Sequence, residues 1–405
     1  MIPWRHIQHL LVYFVLITGS PTHYNVEIEL RHPHNRYRDV DLNFTEITAL
    51  HGYLSEEHTV ETEDGFLLTI FRIVAAKKCV GPKRSPPVIL QHCLLANSEL
   101  FLDSGPDQGL AYLLADECHD VWVGNQRGTN YGRRHIYLDP DKDPEFWKWS
   151  VDEIGYYDIP STIDYVLADT GAETVNYLGY SQGCGTFYIM CSERPEYCKK
   201  VQLKISIAPA TRHLNAKGVG FRLITQGLDY YEAFPNGGFL QEVLNDICRF
   251  ESSYLFCMNV LASIDSLNPG SIPFETIETM SGHVPAGTSS QNLARYGQAM
   301  NSAEFQKFDY GFVENFKMYG SFIPPPYNLK AMTVPVLVLY GKNDGVADQE
   351  DVKWTVGKFQ NLLELYEVHD PLWTHIDFGY SRFEIKFYRR DPDTNIYDLS
   401  VYSGF

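Results

Sequence analysis

The sequence predicts an α/β fold in which a mostly parallel central sheet is interrupted by an inserted, mainly helical cap. Three observations lead there. Short apolar strand-like runs alternate with helical segments from about residue 57 to residue 208, the order that a parallel sheet with crossover helices requires. The alternation stops over residues 211–329, which are mixed helix and loop, rich in aromatics and broken at Phe234-Pro235, Gly237-Gly238 and Pro324-Pro325-Pro326. Strand character then returns at 334–340 (VPVLVLY) and at 362–368. The expected organisation is a leader at 1–20, a first core segment at 21–210, a cap at 211–329 and a second core segment at 330–405.

Taken in order, residues 10–17 (LLVYFVLI) follow Arg5 and precede Thr18-Gly19-Ser20. Positive start, short apolar core and small residues are the parts of a secretory signal, too short to span a bilayer. Residues 21–45 are polar and irregular; the pair His32 and His34 sits in a charged leader and reads as solvated loop. Residues 57–74 alternate around Asp64-Gly65, a hairpin signal. Residues 86–91 are a short apolar strand ending in His92-Cys93-Leu94-Leu95. A helix is expected over 110–117, a strand over 120–124, a Gly/Arg loop over 128–135, an aromatic cluster from Phe146 to Trp149 and an amphipathic helix over 154–169. Residues 175–178 and 201–208 are the next two strands.

The fold is organised around Thr174–Gly185, TVNYLGYSQGCG. It contains Gly179-Tyr180-Ser181-Gln182-Gly183, the only G-x-S-x-G of the chain, between a β-prone run and a segment that can be helical. Strand, tight turn and helix make this pattern a nucleophile elbow, whose strained turn lifts the serine hydroxyl to where a base can reach it. A serine alone is a poor nucleophile: it needs a base to take its proton and a carboxylate to hold that base in one tautomer. On an α/β-hydrolase sheet these follow in the chain order serine, acid, histidine, each in a loop after a strand. Asp344 stands directly after the strand 334–340 and is the expected acid; Asp348 competes, and could instead cap a helix starting near Gln349. His375 follows the last strand and is the expected base, whereas His369 beside Asp370 reads as a surface histidine. An oxyanion needs preorganised amides: Gln182, after the nucleophile, and Leu94, in the loop after Gln91.

With these residues placed, the chain resembles the acid lipase family of α/β-hydrolases, the gastric and lysosomal type in its insect branch. The resemblance runs from about Val60 to the C-terminal region. It rests on GYSQG, on His92–Ala96 (HCLLA), on 120–125 (DVWVGN) followed by Arg127-Gly128, on Glu145-Phe146-Trp147, on 285–289 (PAGTS) with Gln291-Asn292, and on GKND and LWTHIDF near the C-terminus. It implies hydrolysis of ester bonds in acylglycerols or sterol esters by Ser181, Asp344 and His375, with Leu94 and Gln182 as oxyanion donors. It also implies a disulfide in the cap between Cys248 and Cys257. Two positions depart from the family pattern. Cys93 stands where glycine is usual, and would strain the oxyanion loop if that position needs positive φ. Arg295 or a neighbour replaces a histidine that often follows the Gln-Asn pair.

Composition narrows the partners. The formal net charge of -18 argues against nucleic acid and against attachment to anionic membranes by charge, so a lipid–water interface would be met through apolar residues; in the cap, Phe234, Phe239, Leu240 and Phe256 would meet lipid or the acyl chain, or else form the cap's own core. No stretch outside the leader approaches the length of a transmembrane helix. Eight cysteines in a secreted chain should in part pair; Cys184, Cys191 and Cys198 recur every seven, which suggests one helix face. No CxxC or HExxH occurs, so neither metal nor other cofactor is expected. Asn43-Phe44-Thr45 is a sequon for N-glycosylation. The two rival functions are a lipid carrier that keeps the fold without activity, whose mark would be a broken triad, and an esterase of short soluble esters.

Overall fold

A computed structural model describes residues 39–225, 230–381, 384–387 and 399–402. The signal segment and the His32/His34 pair lie outside the described residues. Eight strands form the central sheet. Its first six strands are β1 Leu54–Glu61, β2 Leu67–Ala75, β3 Arg84–Gln91, β4 His119–Gly124, β5 Val175–Tyr180 and β6 Val201–Ile207. The long connection that follows contains the short antiparallel pair β7 Glu232–Ala233 and β8 Thr288–Ser289. The sheet resumes with β9 Val336–Tyr340 and β10 Leu362–Glu367. Beyond it, β11 Glu384–Phe387 pairs with β12 Leu399–Tyr402. The sheet order is β1-β2-β4-β3-β5-β6-β9-β10, and only the pairings made by β2 are antiparallel. β5 and β9 are buried almost throughout, the pattern of strands covered on both faces.

The expected hairpin, strands and helices fall within a few residues of their observed bounds. The helix expected at 154–169 is longer: it begins at Val151 under a Ser150/Glu153 capping box, passes a π-turn at Ile154–Asp158 and continues from Ile159 to Thr170. The cysteine spacing was misleading. The helix Gln182–Glu193 carries Cys184 and Cys191 but stops before Pro195, so Cys198 lies on the next short helix and turns back to bond Cys191. Disulfides also join Cys79 to Cys118 and Cys248 to Cys257, while Cys93 and Cys184 are free.

Between β6 and β9 the chain forms the helices Val219–Ile224, Phe239–Cys248, Tyr254–Ile264, Phe274–His283, Ser290–Ala299 and Phe312–Tyr319. Several contacts seat this insertion on the sheet's loops. The ring of His283 meets Asp103 at 2.7 Å. The Ala286 amide donates to Leu95 O at 2.7 Å. Asn268 and Ser271 both donate to the Asp377 carboxylate. Among the described residues no helix is long and apolar enough to cross a membrane.

Candidate active site

Ser181 sits at the turn from β5 into the helix Gln182–Glu193 with φ 53° and ψ -111°. That conformation is costly for a residue with a Cβ, and it is held by the Ser181 amide donating to Ile207 O on the neighbouring strand. The flanking glycines are required by space. A Cβ at Gly179 would lie 2.4 Å from Gly183 O, and one at Gly183 would lie 2.4 Å from Gln91 O.

Asp344 follows β9 and is 1 % exposed. One carboxylate oxygen accepts the Val346 and Ala347 amides, which fixes its rotamer; the other faces His375 Nδ1 at 2.8 Å. His375 Nε2 lies 2.8 Å from Ser181 Oγ. A carboxylate can only accept, so Nδ1 carries the hydrogen and Nε2 is left to accept from the serine hydroxyl. Tyr180 supports the imidazole from below: its ring lies against it and its hydroxyl donates to His375 O at 2.6 Å. Burial alone would depress the His375 imidazole, but the Asp344 carboxylate beside it outweighs burial and holds it above its ordinary value. The two competitors lie elsewhere. Asp348 caps the helix Gln349–Val356 and pairs with Lys217, and His369 is exposed against Tyr366.

The amides of Leu94 and Gln182 have no hydrogen-bond acceptor among the described residues. The loop that carries Leu94 is tied down on both sides. His92 Nε2 accepts the Gln126 amide, so Nδ1 donates to Cys93 O, and burial keeps this imidazole neutral by pushing it down to about 4. The left-handed residue of the loop is Leu95, φ 62°, so Cys93 is not the strained position. Cys93 is half-buried and burial pushes its thiol up to about 12, which makes it an apolar wall rather than a second nucleophile. Behind the nucleophile, the Gln182 side chain donates to Gln126 Oε1 and accepts from Asn292 Nδ2 and the Tyr296 hydroxyl. The insertion therefore reaches the residue next to the serine.

Sequence reasoning missed several neighbours. Asn292 lies in a motif it did single out, but Gln126, Tyr296, His213 and Asp265 carried no signal. His213 is buried, pushed down to about 4 by burial, and bonded through Nδ1 to Val346 O. Asp265 is a lone acid between an apolar helix and an irregular segment.

A strained serine at a strand–helix turn, beneath an insertion between β6 and β9, is the arrangement of an α/β-hydrolase. A family profile described as "alpha/beta hydrolase fold" matches residues 86–380, and one described as "Partial alpha/beta-hydrolase lipase region" matches residues 44–105. The chain is 35% identical to human gastric triacylglycerol lipase over 349 residues, covering 84% of this chain and 87% of that one. It is 36% identical to Lipase 1 of Drosophila melanogaster over 349 residues, covering 85% and 77%. It is 34% identical to human lysosomal acid lipase/cholesteryl ester hydrolase over 349 residues, covering 84% and 87%. The chain belongs to the gastric and lysosomal lipase family of α/β-hydrolases and is, by that membership, a carboxylic ester hydrolase.

Proposed function

We propose that this protein is a secreted serine lipase that hydrolyses acylglycerols or sterol esters through Ser181, His375 and Asp344. The observation that carries the proposal is His375, bridging the serine hydroxyl and the carboxylate at 2.8 Å each. In the first half-reaction His375 takes the Ser181 proton as Oγ attacks the ester carbonyl. The amides of Leu94 and Gln182 hold the oxyanion, each worth about 2.7–4 kcal/mol of barrier. His375 then protonates the departing alcohol, and water, activated by the same imidazole, releases the acid from the acyl-enzyme. Residues 211–329 act as the cap over an apolar acyl site. Ser181 is only 4 % exposed, so this cap must open to admit substrate. The apolar run at 10–17 directs secretion, and Asn43, exposed at a helix start, is the glycan acceptor.

An apolar surface suits a lipid–water interface better than charge does on so acidic a chain. The insertion exposes Phe312, Val313, Phe316, Met318, Phe322 and Ile323 together, with Phe322 stacked on both phenylalanines of the helix. Phe316→Asp with Phe322→Asp is expected to lower turnover of emulsified long-chain triacylglycerol at least about tenfold. Turnover of a soluble short-chain ester should stay unchanged. Equal losses on both substrates would remove the patch from the interface.

The base must be neutral to accept a proton. Because His375 is held above 6.5, kcat/KM is expected to fall on the acid side with a midpoint above that value. A screen of acyl length and alcohol against pH, with Ser181→Ala as the blank, tests both the chemistry and the substrate class. Turnover of short soluble esters alone would make the protein an esterase, and no turnover would make it a carrier.

A further inference from the structure

Beyond the three residues of the proposed mechanism, a second carboxylate stands beside the imidazole, and it comes from the insertion. We propose that Asp265 is a positioning residue that ties the loop carrying Asp344 to the loop carrying His375 and favours the charged imidazole. This rests on the hydrolase function proposed above.

Asp265 is the first residue after the helix Tyr254–Ile264, and its amide still donates to Leu261 O. It is 4 % exposed. Its two oxygens are used on two different loops. Oδ1 accepts the amide of Gly345, next to Asp344, at 2.7 Å, and Oδ2 accepts the amide of Ile376, next to His375, at 2.9 Å. One planar group therefore bridges two loops that are otherwise joined by the Asp344–His375 bond and by Asn343, whose amide donates to Trp373 O and whose side chain donates to Leu372 O. The fit leaves no slack: a Cβ at Gly345 would lie 2.5 Å from Asp265 O.

A neutral side chain would hold the loops at lower electrostatic cost. Burial, with Asp344 alongside, pushes the Asp265 carboxyl up, while the His375 imidazole and the Ile376 and Gly345 amides favour its ionised form. Two carboxylates in one buried site repel each other, and what they share is the imidazole. His375 is neutral at rest and cationic once it has taken the serine proton, so a nearby carboxylate in its ionised form favours the later state over the earlier one. The other titratable groups around this pair are Tyr180 at the end of β5, Cys93 in the oxyanion loop and His213 after β6. Burial keeps all three neutral near pH 7, which leaves Asp265 and Asp344 as the acids the imidazole faces.

Asp265→Asn keeps the shape and one acceptor but turns an amide group toward a backbone N–H. For a soluble short-chain ester, kcat is expected to fall roughly 10–100-fold with KM within about twofold, the size of loss that small misplacements of reacting groups cause. The acid limb of kcat/KM is expected to move to lower pH, because the removed charge was raising the imidazole. Asp265→Glu returns the charge without the span, and is expected to restore the acid limb but not kcat. Should Asp265→Asn fail to fold, Asp265→Ser carries the same two expectations. An active parent with kcat within twofold and an unmoved limb in Asp265→Asn overturns this proposal alone. A fall in kcat with the limb unmoved also overturns it, since a purely structural clamp gives that result. A parent that hydrolyses no ester overturns the function beneath it as well.

Discussion

Ser181→Ala is expected to abolish ester hydrolysis, lowering kcat on the order of 10⁶-fold, with the folded protein unchanged in stability. The size follows from the unit character of a nucleophile and its base: once the attacking oxygen is gone, His375 has no proton to take, and only the background left by the oxyanion donors and binding remains. The stability expectation follows from the turn. Alanine has the same Cβ as serine, so it meets the φ of 53° no worse, and the lost hydroxyl's hydrogen bond is to His375 Nε2. That nitrogen is left without its serine partner, while Nδ1 keeps its bond to Asp344. Asp344→Asn is expected to cost about 10⁴-fold, because the asparagine Nδ2 donates where the carboxylate accepted and turns the imidazole to the wrong tautomer. Hydrolysis that persists in purified Ser181→Ala, with inhibitor-sensitive kinetics like the parent's, would remove Ser181 from the mechanism and leave its strained conformation without a chemical purpose.

How far the sequence reaches toward this site depends on the range of the forces involved. The elbow is local: two glycines, a serine and a strand–helix boundary specify it, so its residues are legible without coordinates. Asp344 and His375 are legible because chain order and strand ends are local signals too, and Asp348 separates from Asp344 by its capping role four residues on. The hidden part is what the insertion contributes. Asp265, Asn292 and Tyr296 reach the site through bonds that span 110 or more residues, as Asn292 and Tyr296 do to Gln182 and Asp265 does to Ile376. No period or spacing encodes such a contact. The cysteines teach the same lesson in reverse. A spacing of seven matches a helix face, but Pro195 ends the helix between Cys191 and Cys198, and the pair closes as a disulfide instead. Leu95 is a further case: its positive φ falls on a leucine, and glycine-based reasoning pointed two residues upstream to Cys93.

Removing His283 is expected to damage the fold at a distance from the chemistry, costing about 3–5 kcal/mol of folding stability. His283 ends the helix Phe274–His283, and its side chain is 4% exposed. Nδ1 lies 2.7 Å from Asp103 Oδ1, and Nε2 lies 4.0 Å from Glu99 Oε2. Burial opposes a charge there, but the two carboxylates and the Asp103 hydrogen bond overcome it and push the imidazole up to about 10. The helix C-terminus favours the same cation. In His283→Ala two buried carboxylates face each other across a hole, which is why the loss exceeds that of one hydrogen bond. A double variant, His283→Gln with Asp103→Asn, replaces the pair by neutral partners and is expected to recover most of the loss. The pH dependence has a definite sign. The folded value lies above that of a free histidine, so the stabilisation is complete below about 6.5 and disappears as pH rises through about 10. Denaturant midpoints at pH 6 and at pH 10 test it: the parent and His283→Ala should differ at the first and converge at the second. Because Ala286 N holds Leu95 O three residues further along, a loosened His283 should also reach the oxyanion loop, so kcat in His283→Ala is expected to fall while the double variant regains both stability and rate. A His283→Ala midpoint within about 1 kcal/mol of the parent at pH 6 would mean that the insertion is seated by its apolar contacts, with the ion pair incidental to it.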